Sequence, residues 1–146
     1  MKQKTLVGSV ERIALPDLGI ENLDVRVDTG AKTSSLHATN ISLEGTVNKP
    51  LVKFTLLADD YGWDVDRVLQ LPVIGTKTVI SSNGMSEQRV MIASDLHIGS
   101  QRWSIHLTLT DRADMRYKML LGRQAMKQRL IVDPSKKFLQ EPPHSS

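Results

Sequence analysis

Apolar and polar residues alternate along several short stretches of this chain. The alternation is clearest in residues 23–27, 51–57 and 102–109, where every second side chain is apolar. A period of two places successive side chains on opposite faces of an extended chain, so each stretch predicts a β-strand with one buried face. Many short strands separated by turns indicate a mainly β protein, closed into a barrel or folded into a sandwich. Further strands are predicted at residues 5–10, 36–43, 68–73, 76–80, 89–93, 118–121 and 130–132.

Turn residues separate these strands, and one turn marks a hairpin. Asn83-Gly84 lies between two β-like segments, and this dipeptide is the strongest short hairpin signal. Residues 16–19 and 58–62 break the strand pattern, while residues 123–129 predict the one short helix.

The length and composition are those of one folded domain. The 146 residues are 40% hydrophobic, so we expect a domain over residues 1–140 and a flexible tail over 141–146. No signal peptide, membrane-length apolar run or cysteine occurs, which predicts a cytoplasmic protein without disulfides or a membrane partner. The net charge of +3 favours an anionic partner, but the basic residues are dispersed, so direct nucleic-acid binding is not expected.

Several common catalytic motifs are absent from the sequence. There is no His-Glu-x-x-His pattern, and His37, His97 and His106 lie in separate segments without metal-ligand spacing. Ser34 and Ser35 are not in a Gly-x-Ser-x-Gly elbow, and there is no glycine-rich phosphate loop. We therefore expect no metal ion and no cofactor.

Carboxylates remain, and the strongest candidate is Asp28-Thr29-Gly30, which follows the strand over residues 23–27. Two adjacent carboxylates share one proton, and such a pair can activate water and protonate a leaving group. The motif occurs once, so a catalytic Asp28 requires Asp28 of a second copy, which a two-fold homodimer supplies. Alternatively, the triplet is an ordinary Asp-Gly turn.

Residues 27–38, V-D-T-G-A-K-T-S-S-L-H-A, resemble the active-site loop of retropepsins, the dimeric aspartic proteases. Residues 118–126, K-M-L-L-G-R-Q-A-M, resemble their Gly-Arg strand and helix, where Gly122 would let the closing strand pass near the loop. More narrowly, residues 11–19, 27–38 and 109–133 are similar to a bacterial retropepsin-like family labelled "ATP-dependent zinc protease", although no zinc or ATP motif is present. The resemblance implies a closed β-barrel with one short C-terminal helix.

The resemblance also implies a role for each matching residue. Asp28 is the expected catalytic acid, Thr29 would brace the pair across the two-fold axis, and Gly30 would let the substrate backbone lie close. Asn83 and Gly84 would tip a flap that closes over the substrate. The residues expected to contact substrate are Ala31, Lys32, Thr33, Asn83, Gly84, Arg89, Arg112, Arg116 and Arg123.

Lys32 departs from the viral retropepsin pattern. Viral members usually carry an acid here, which pairs with the arginine of the Gly-Arg motif, Arg123 in this chain. Two cations then stand near the substrate groove, and an acidic substrate side chain would relieve their repulsion. Alternatively, Lys32 points to solvent and Arg123 pairs with Asp24, Asp111 or Asp133.

Members of the similar bacterial family are associated with ATP-grasp ligases that add glutamates to the C-terminus of a small-subunit ribosomal protein. The resemblance therefore implies a homodimeric aspartic endopeptidase that cleaves acidic, poly-glutamate segments, such as glutamate tails on a ribosomal protein. An alternative is a non-catalytic β-barrel module that binds an acidic or ribosomal partner. A metallopeptidase is a third possibility, which rests on the family label alone.

Overall fold

Twelve strands, two short helices and one 3₁₀ turn make up the described part of the chain. The computed structural model describes residues 3–80 and 83–143. The helices are α1 (Ala58–Tyr61) and α2 (Arg123–Met126), and the 3₁₀ turn is Pro16–Leu18. The strands are β1 (Thr5–Val7), β2 (Val10–Leu15), β3 (Ile20–Val27), β4 (Ser34–His37), β5 (Thr39–Gly45), β6 (Pro50–Leu56), β7 (Arg67–Pro72), β8 (Gly75–Ile80), β9 (Ser86–Ile98), β10 (Gln101–Thr110), β11 (Met119–Leu121) and β12 (Leu130–Val132).

Six of these strands close into a barrel. Their order is β10-β4-β11-β3-β2-β9, and β9 pairs with β10 to complete the circle. β8 pairs with β9 as an antiparallel hairpin that extends the sheet. β5, β6 and β7 form a separate antiparallel sheet, and β1 lies parallel to β12. The predicted mainly β fold is confirmed, and it is the closed form.

The predicted alternation describes which side chains fill the core. Val52, Phe54 and Leu56 of β6 are fully buried, and the apolar face predicted for residues 102–109 is buried as well. Thr108, predicted on the opposite face, is also fully buried, and its hydroxyl donates to the Ser34 carbonyl at 3.1 Å. The core therefore follows the period of two, except where β10 is covered on both faces.

The prediction of a single helix is wrong, because α1 forms where only a break was expected. Gly62 ends α1 in the left-handed region, with a φ of 74°, and its N–H donates to the Ala58 carbonyl. α2 stops at Met126 rather than at residue 129, because Lys127 is extended and Gln128 has a φ of 67°. A helix of four residues has too short an apolar period to be recognised in a sequence.

Two predicted strands have different boundaries in the structure. The segment predicted as one strand over residues 5–10 is divided between β1 and β2, and β2 continues to Leu15. The segment over residues 36–43 is divided at the fully buried Ala38, where β4 of the barrel gives way to β5 of the separate sheet.

Some predictions concern residues that the structure does not describe. Ser81 and Ser82, in the predicted hairpin turn, and residues 144–146 of the predicted tail lie outside the described residues. The single domain over residues 1–140 and the flexible tail stay predictions. Among the described residues, no helix is both long enough and apolar enough to cross a membrane.

A buried carboxylate ties the C-terminal segment to the barrel. Glu11 is fully buried, and its Oε2 accepts hydrogen bonds from the N–H groups of Gly8 at 2.7 Å and Leu139 at 2.9 Å. Its Oε1 accepts from the Gln140 N–H at 3.0 Å. Three N–H donors replace the water that the carboxylate loses on burial. Glu11 therefore fixes the segment after β12 against the turn between β1 and β2.

We expect Glu11→Ala to lower the free energy of unfolding by about 3 kcal/mol, because three N–H groups lose their buried acceptor. Urea unfolding followed by circular dichroism measures this change. Glu21→Ala is the matched control, since Glu21 carries the same charge but is exposed, and it should change stability by less than about 0.5 kcal/mol. Equal stability of the two variants would contradict the role of Glu11.

Candidate active site

β11 lies between β3 and β4, and this places the end of β3 beside the Gly-Arg segment. Leu121 pairs with Val27 in parallel register, and the Asp28 N–H donates to the Leu121 carbonyl at 2.9 Å. Asp28 is thus the first residue to leave the barrel strand, at a point held by the neighbouring strand.

A short turn fixes the Asp28 side chain. Its Oδ1 accepts a hydrogen bond from the Gly30 N–H at 2.9 Å, and the Ala31 N–H donates to the Asp28 main-chain carbonyl at 3.2 Å. The side chain is half-buried, and no other described residue donates to the carboxylate. Oδ2 is therefore available to a water molecule or to a second carboxylic acid.

The start of α2 binds the loop that follows Asp28. The N–H groups of Arg123 and Gln124 donate to the carbonyls of Ala31 at 2.8 Å and Lys32 at 3.1 Å. The N–H of Gly122 donates to Ser34 Oγ at 3.0 Å. These bonds satisfy the free N–H groups at the helix start and give the loop a fixed position.

Gly122 approaches the loop so closely that no side chain fits between them. A Cβ at this position would lie 2.5 Å from the carbonyl carbon and oxygen of Thr33 and 2.9 Å from its nitrogen. The contact is with backbone on both sides, so a rotamer change cannot relieve it. A glycine is therefore required where β11 passes the loop.

A cleft of about 1190 Å³ separates the Asp28 loop from the β8–β9 hairpin. It brings together eight of the predicted site residues: Asp28, Gly30, Ala31, Lys32, Thr33, Asn83, Arg89 and Arg112. Gly84 and Arg116 do not line it: Gly84 is exposed with a φ of 83°, and the Arg116 guanidinium lies 5.4 Å from the centre of the Tyr117 ring. The contact of each residue with substrate stays a prediction.

Thr29 and Arg123 line a second groove, of about 600 Å³, which shares Lys32 with the cleft. Arg123 Nη1 donates to the Thr29 carbonyl at 3.0 Å, so its guanidinium is held against the Asp28 loop. Thr29 is exposed, and its hydroxyl makes no hydrogen bond with the described residues. The face beside Asp28 thus presents a polar group without a partner in the described chain.

The alternative pairing of Arg123 with a nearby acid is not formed among the described residues. Asp24 instead pairs with Arg12 at 2.8 Å. Asp133 accepts hydrogen bonds from the hydroxyl and the N–H of Ser135, and these lower the pKa of its carboxyl group. Arg123 keeps its contact with the loop carbonyl.

Four of the described side chains that line the cleft are cationic, and two of these have an internal partner. Arg89 pairs with Glu87 at 3.0 Å and Arg112 with Asp114 at 3.7 Å, and both acids also line the cleft. The other two cations, Lys32 and Lys77, form no ion pair with the described residues. Apart from Asp28, the lining therefore carries two more positive than negative charges.

Lys77 and Glu87 are lining residues that the sequence interpretation missed. Lys77 lies directly opposite Arg89 in the register of the β8–β9 hairpin, and both side chains line the cleft. Residues 75–80 alternate between half-buried and exposed positions, with Lys77 on the half-buried face. The sequence G-T-K-T-V-I does not show this alternation, because the half-buried Lys77 is charged and the exposed Ile80 is apolar, so no sequence signal identified the inner face of the hairpin.

The three histidines that the structure describes do not form a metal site. His37 is fully buried, His97 is half-buried and His106 is exposed. Within residues 3–80 and 83–143, no group of three or more His, Asp or Glu side chains is placed to hold a metal ion. The described side chains therefore do not fit the zinc ion that the older family label implies.

One protein-family model matches nearly the whole chain. The model of the RimB-like family, described as "Retropepsin-like aspartic endopeptidase RimB", matches residues 6–143. The crystal structure of a protein of unknown function from Legionella pneumophila is similar to this chain, with a TM-score of 0.77 and 27% sequence identity. The similarity covers 95% of this chain and 100% of that one.

Two curated relatives carry a different name. A probable alpha-L-glutamate ligase of Shewanella pealeana is 42% identical over 135 residues, which are 92% of this chain and 30% of the relative. A probable alpha-L-glutamate ligase of Desulfotalea psychrophila is 40% identical over 136 residues, which are 90% of this chain and 28% of the relative. This chain thus spans less than a third of the length of these relatives.

We expect Gly122→Ala to destabilise the fold by about 3 kcal/mol and to displace the Asp28 loop, because the new methyl group overlaps the Thr33 backbone. Thermal unfolding measures the loss. Gly75→Ala is the control, since its Cβ would meet only the flexible end of Met91, at 3.4 Å. A Gly122→Ala variant as stable as Gly75→Ala would show that the close contact is not formed.

Burial raises the pKa of the Tyr61 hydroxyl above its usual range, and the neighbouring Asp60 carboxylate acts in the same direction. The folded state favours the neutral form, so its stabilisation is complete below the pKa of unfolded tyrosine, about 10, and is lost as the pH rises toward the folded value. Ultraviolet titration of tyrosinate, taken as the difference between wild type and Tyr61→Phe, should place Tyr61 well above that value. Ionisation of Tyr61 near the ordinary tyrosine pKa in a folded protein would refute this.

Proposed function

Because this chain belongs to the RimB-like family of retropepsin-like aspartic endopeptidases, we propose that it is a homodimeric aspartic endopeptidase that cleaves acidic, glutamate-rich peptides. One observation carries the proposal. The Asp28 carboxylate, with one oxygen held by the Gly30 N–H and the other available, opens into a cleft with an excess of basic side chains.

The dimer follows from the chemistry of the carboxylate. A single exposed carboxylate is a weak base near neutral pH, whereas two that share a proton provide an acid and a base together. The chain has one Asp-Thr-Gly, so the second carboxylate comes from a second copy across a two-fold axis. Each copy then contributes half of the site.

Two exposed features of the chain support such a contact. Thr29 is exposed next to Asp28, and its hydroxyl, which has no partner among the described residues, can hydrogen-bond to its equivalent across the axis. On the β1–β12 sheet, Leu6 and Ile131 are paired in register and are 48% and 53% exposed. A second copy would cover this apolar pair.

In the proposed reaction, a water molecule lies between the two Asp28 carboxyl groups. The ionised carboxylate takes a proton from the water as its oxygen attacks the peptide carbonyl carbon, and the protonated partner donates its proton to the carbonyl oxygen. As the tetrahedral intermediate collapses and the C–N bond breaks, the carboxyl group that took the proton from water gives it to the leaving amine, and one hydroxyl of the intermediate returns its proton to the other carboxylate, so the dyad again holds one proton. The β8–β9 hairpin covers the cleft and limits access of bulk water.

The charge of the cleft supports an acidic substrate. Lys32 and Lys77 have no internal ion pair among the described residues, and Arg89 and Arg112 stand beside them. A peptide with a carboxylate on every residue would supply several partners along this lining. Glutamate tails, such as those on a ribosomal protein, are the proposed substrate.

The name of the curated relatives is compatible with this substrate. They are called probable alpha-L-glutamate ligases, and this chain covers only 30% of the Shewanella pealeana protein. We therefore do not transfer the ligase activity, but propose that this chain hydrolyses bonds between glutamates of the kind that such ligases would form.

We expect purified wild-type protein to cleave poly-α-glutamate but not a neutral peptide of equal length, with the products identified by mass. Asp28→Asn should remain a folded dimer by sedimentation velocity but lose about a thousandfold or more in kcat, because the dyad loses its shared proton. A metal chelator should not inhibit the wild-type protein.

Asp64→Asn is the control for the loss of one aspartate, since Asp64 is exposed and lies outside the cleft. It should retain full activity. Cleavage by Asp28→Asn would contradict the proposal. A wild-type protein that stays monomeric and binds poly-α-glutamate without cleaving it would instead support a non-catalytic module for acidic partners.

A further inference from the structure

His37 is fully buried at the end of β4, and the proposed reaction gives it no role. Its ring makes a hydrogen bond at each nitrogen. Nδ1 accepts from the Arg112 N–H at 2.9 Å, and Nε2 lies 2.7 Å from Asp60 Oδ2. Because the Arg112 N–H can only donate, Nδ1 must present its lone pair, and the ring proton is assigned to Nε2, which donates to Asp60.

His37 also binds the other end of the loop that contains Arg112. Residues 111–118 connect β10 to β11. The His37 main-chain N–H donates to the Lys118 carbonyl at 2.8 Å, so one residue holds both ends of this loop.

The loop itself is stiffened by internal hydrogen bonds. The Met115 N–H donates to the Arg112 carbonyl at 3.0 Å. Lys118 Nζ donates to the carbonyls of Ala113 at 2.8 Å and Met115 at 3.1 Å. Because the loop is stiff and both of its ends are bonded to His37, a shift of the His37 ring would shift the Arg112 backbone with it.

The loop forms one wall of the catalytic cleft, through Arg112 and Asp114. Their ion pair is 3.7 Å long, and the two side chains are 50% and 83% exposed. Water screens so open a pair, and it holds the Arg112 side chain only weakly. The backbone attachment to His37 therefore sets the point on the cleft wall from which the Arg112 side chain extends.

Helix α1 fixes His37 from the opposite side. The Asp60 side chain is only 15% exposed, and the Tyr61 hydroxyl donates to the His37 carbonyl. The start of α1 is held in turn by the Ala58 N–H, which donates to Asp66 Oδ1 at 2.8 Å. A carboxylate on one ring nitrogen sets both the tautomer and the orientation of the ring.

We propose that His37, oriented by Asp60, is a positioning residue that gives the cleft its preference for acidic substrates. It holds Arg112 where the guanidinium meets a substrate carboxylate, and it does not touch the substrate itself. The inference rests on the proposed function, because it assigns the specificity of the same cleft.

Two substitutions separate the two ring contacts. In His37→Asn, the short side chain places its amide oxygen near the position of Nδ1, where it can still accept from the Arg112 N–H. In His37→Gln, the longer side chain reaches toward Asp60 and gives up the contact with Arg112. Both replacements are neutral amides that differ by one methylene group, so they disturb the core to a similar degree.

We expect His37→Gln to raise the KM for poly-α-glutamate about tenfold with kcat changed less than about twofold, because ground-state binding is what it weakens. His37→Asn should stay close to the wild-type KM. In an Arg112→Ala background, His37→Gln should have no further effect, since both changes remove the same contact. An unchanged KM in His37→Gln, or equal losses in the two His37 variants, would overturn the inference.

Hydrogen exchange at the Arg112 amide tests the attachment without catalysis. The amide should be protected in wild type and His37→Asn, and should exchange faster in His37→Gln and in Asp60→Leu, which removes the acceptor for Nε2. Asp60→Leu also serves if His37→Gln does not fold. Equal exchange in all variants of a protein that cleaves poly-α-glutamate would refute the inference alone, whereas no cleavage despite normal protection of Arg112 would refute the proposed function.

Discussion

The contact between Gly122 and the backbone of Thr33 is the constraint on which the candidate site depends. A Cβ at position 122 would lie 2.5 Å from that backbone, so β11 can reach its place between β3 and β4 only with glycine there. The same approach lets Arg123 bind the Ala31 carbonyl and the Asp28 N–H bind Leu121. An irregular loop thereby obtains the rigidity that a catalytic carboxylate requires.

This rigidity does not complete the site, because it leaves one oxygen of Asp28 without a partner among the described residues. A carboxylate with one oxygen available agrees equally well with a turn that only binds a partner and with half of a catalytic acid–base pair. The choice between them comes from the surroundings: the exposed Thr29 hydroxyl and the exposed pair Leu6 and Ile131 favour a second copy, and the basic lining favours an acidic peptide. The proposed peptidase is the function that uses all of these features.

The sequence was sufficient for the features that local patterns encode. Alternation of apolar residues identified most strands, and the Asp28-Thr29-Gly30 and Gly122-Arg123 motifs located the loop and its neighbour. It was insufficient where residues distant in the chain meet through one hydrogen bond. His37 binds the Arg112 N–H across 75 positions, and Glu11 binds Gln140 across 129. Such contacts depend on the closed barrel, and neither residue type indicates its partner in advance.

The two ion pairs of the cleft explain how a basic lining can exist before substrate arrives. Four like charges facing one cavity repel one another, and Glu87 and Asp114 reduce that repulsion at Arg89 and Arg112. Both acids are largely exposed, at 49% and 83%, so each pair contributes no more than about 1 kcal/mol. Glu87 also accepts a hydrogen bond from the Thr110 hydroxyl at 3.2 Å, so Asp114 is the acid that a substrate carboxylate can replace at small cost, provided that the arginine itself stays in place. For Arg112 that condition is met by its backbone rather than by its ion pair, because the N–H bound to His37 is unaffected when Asp114 is displaced.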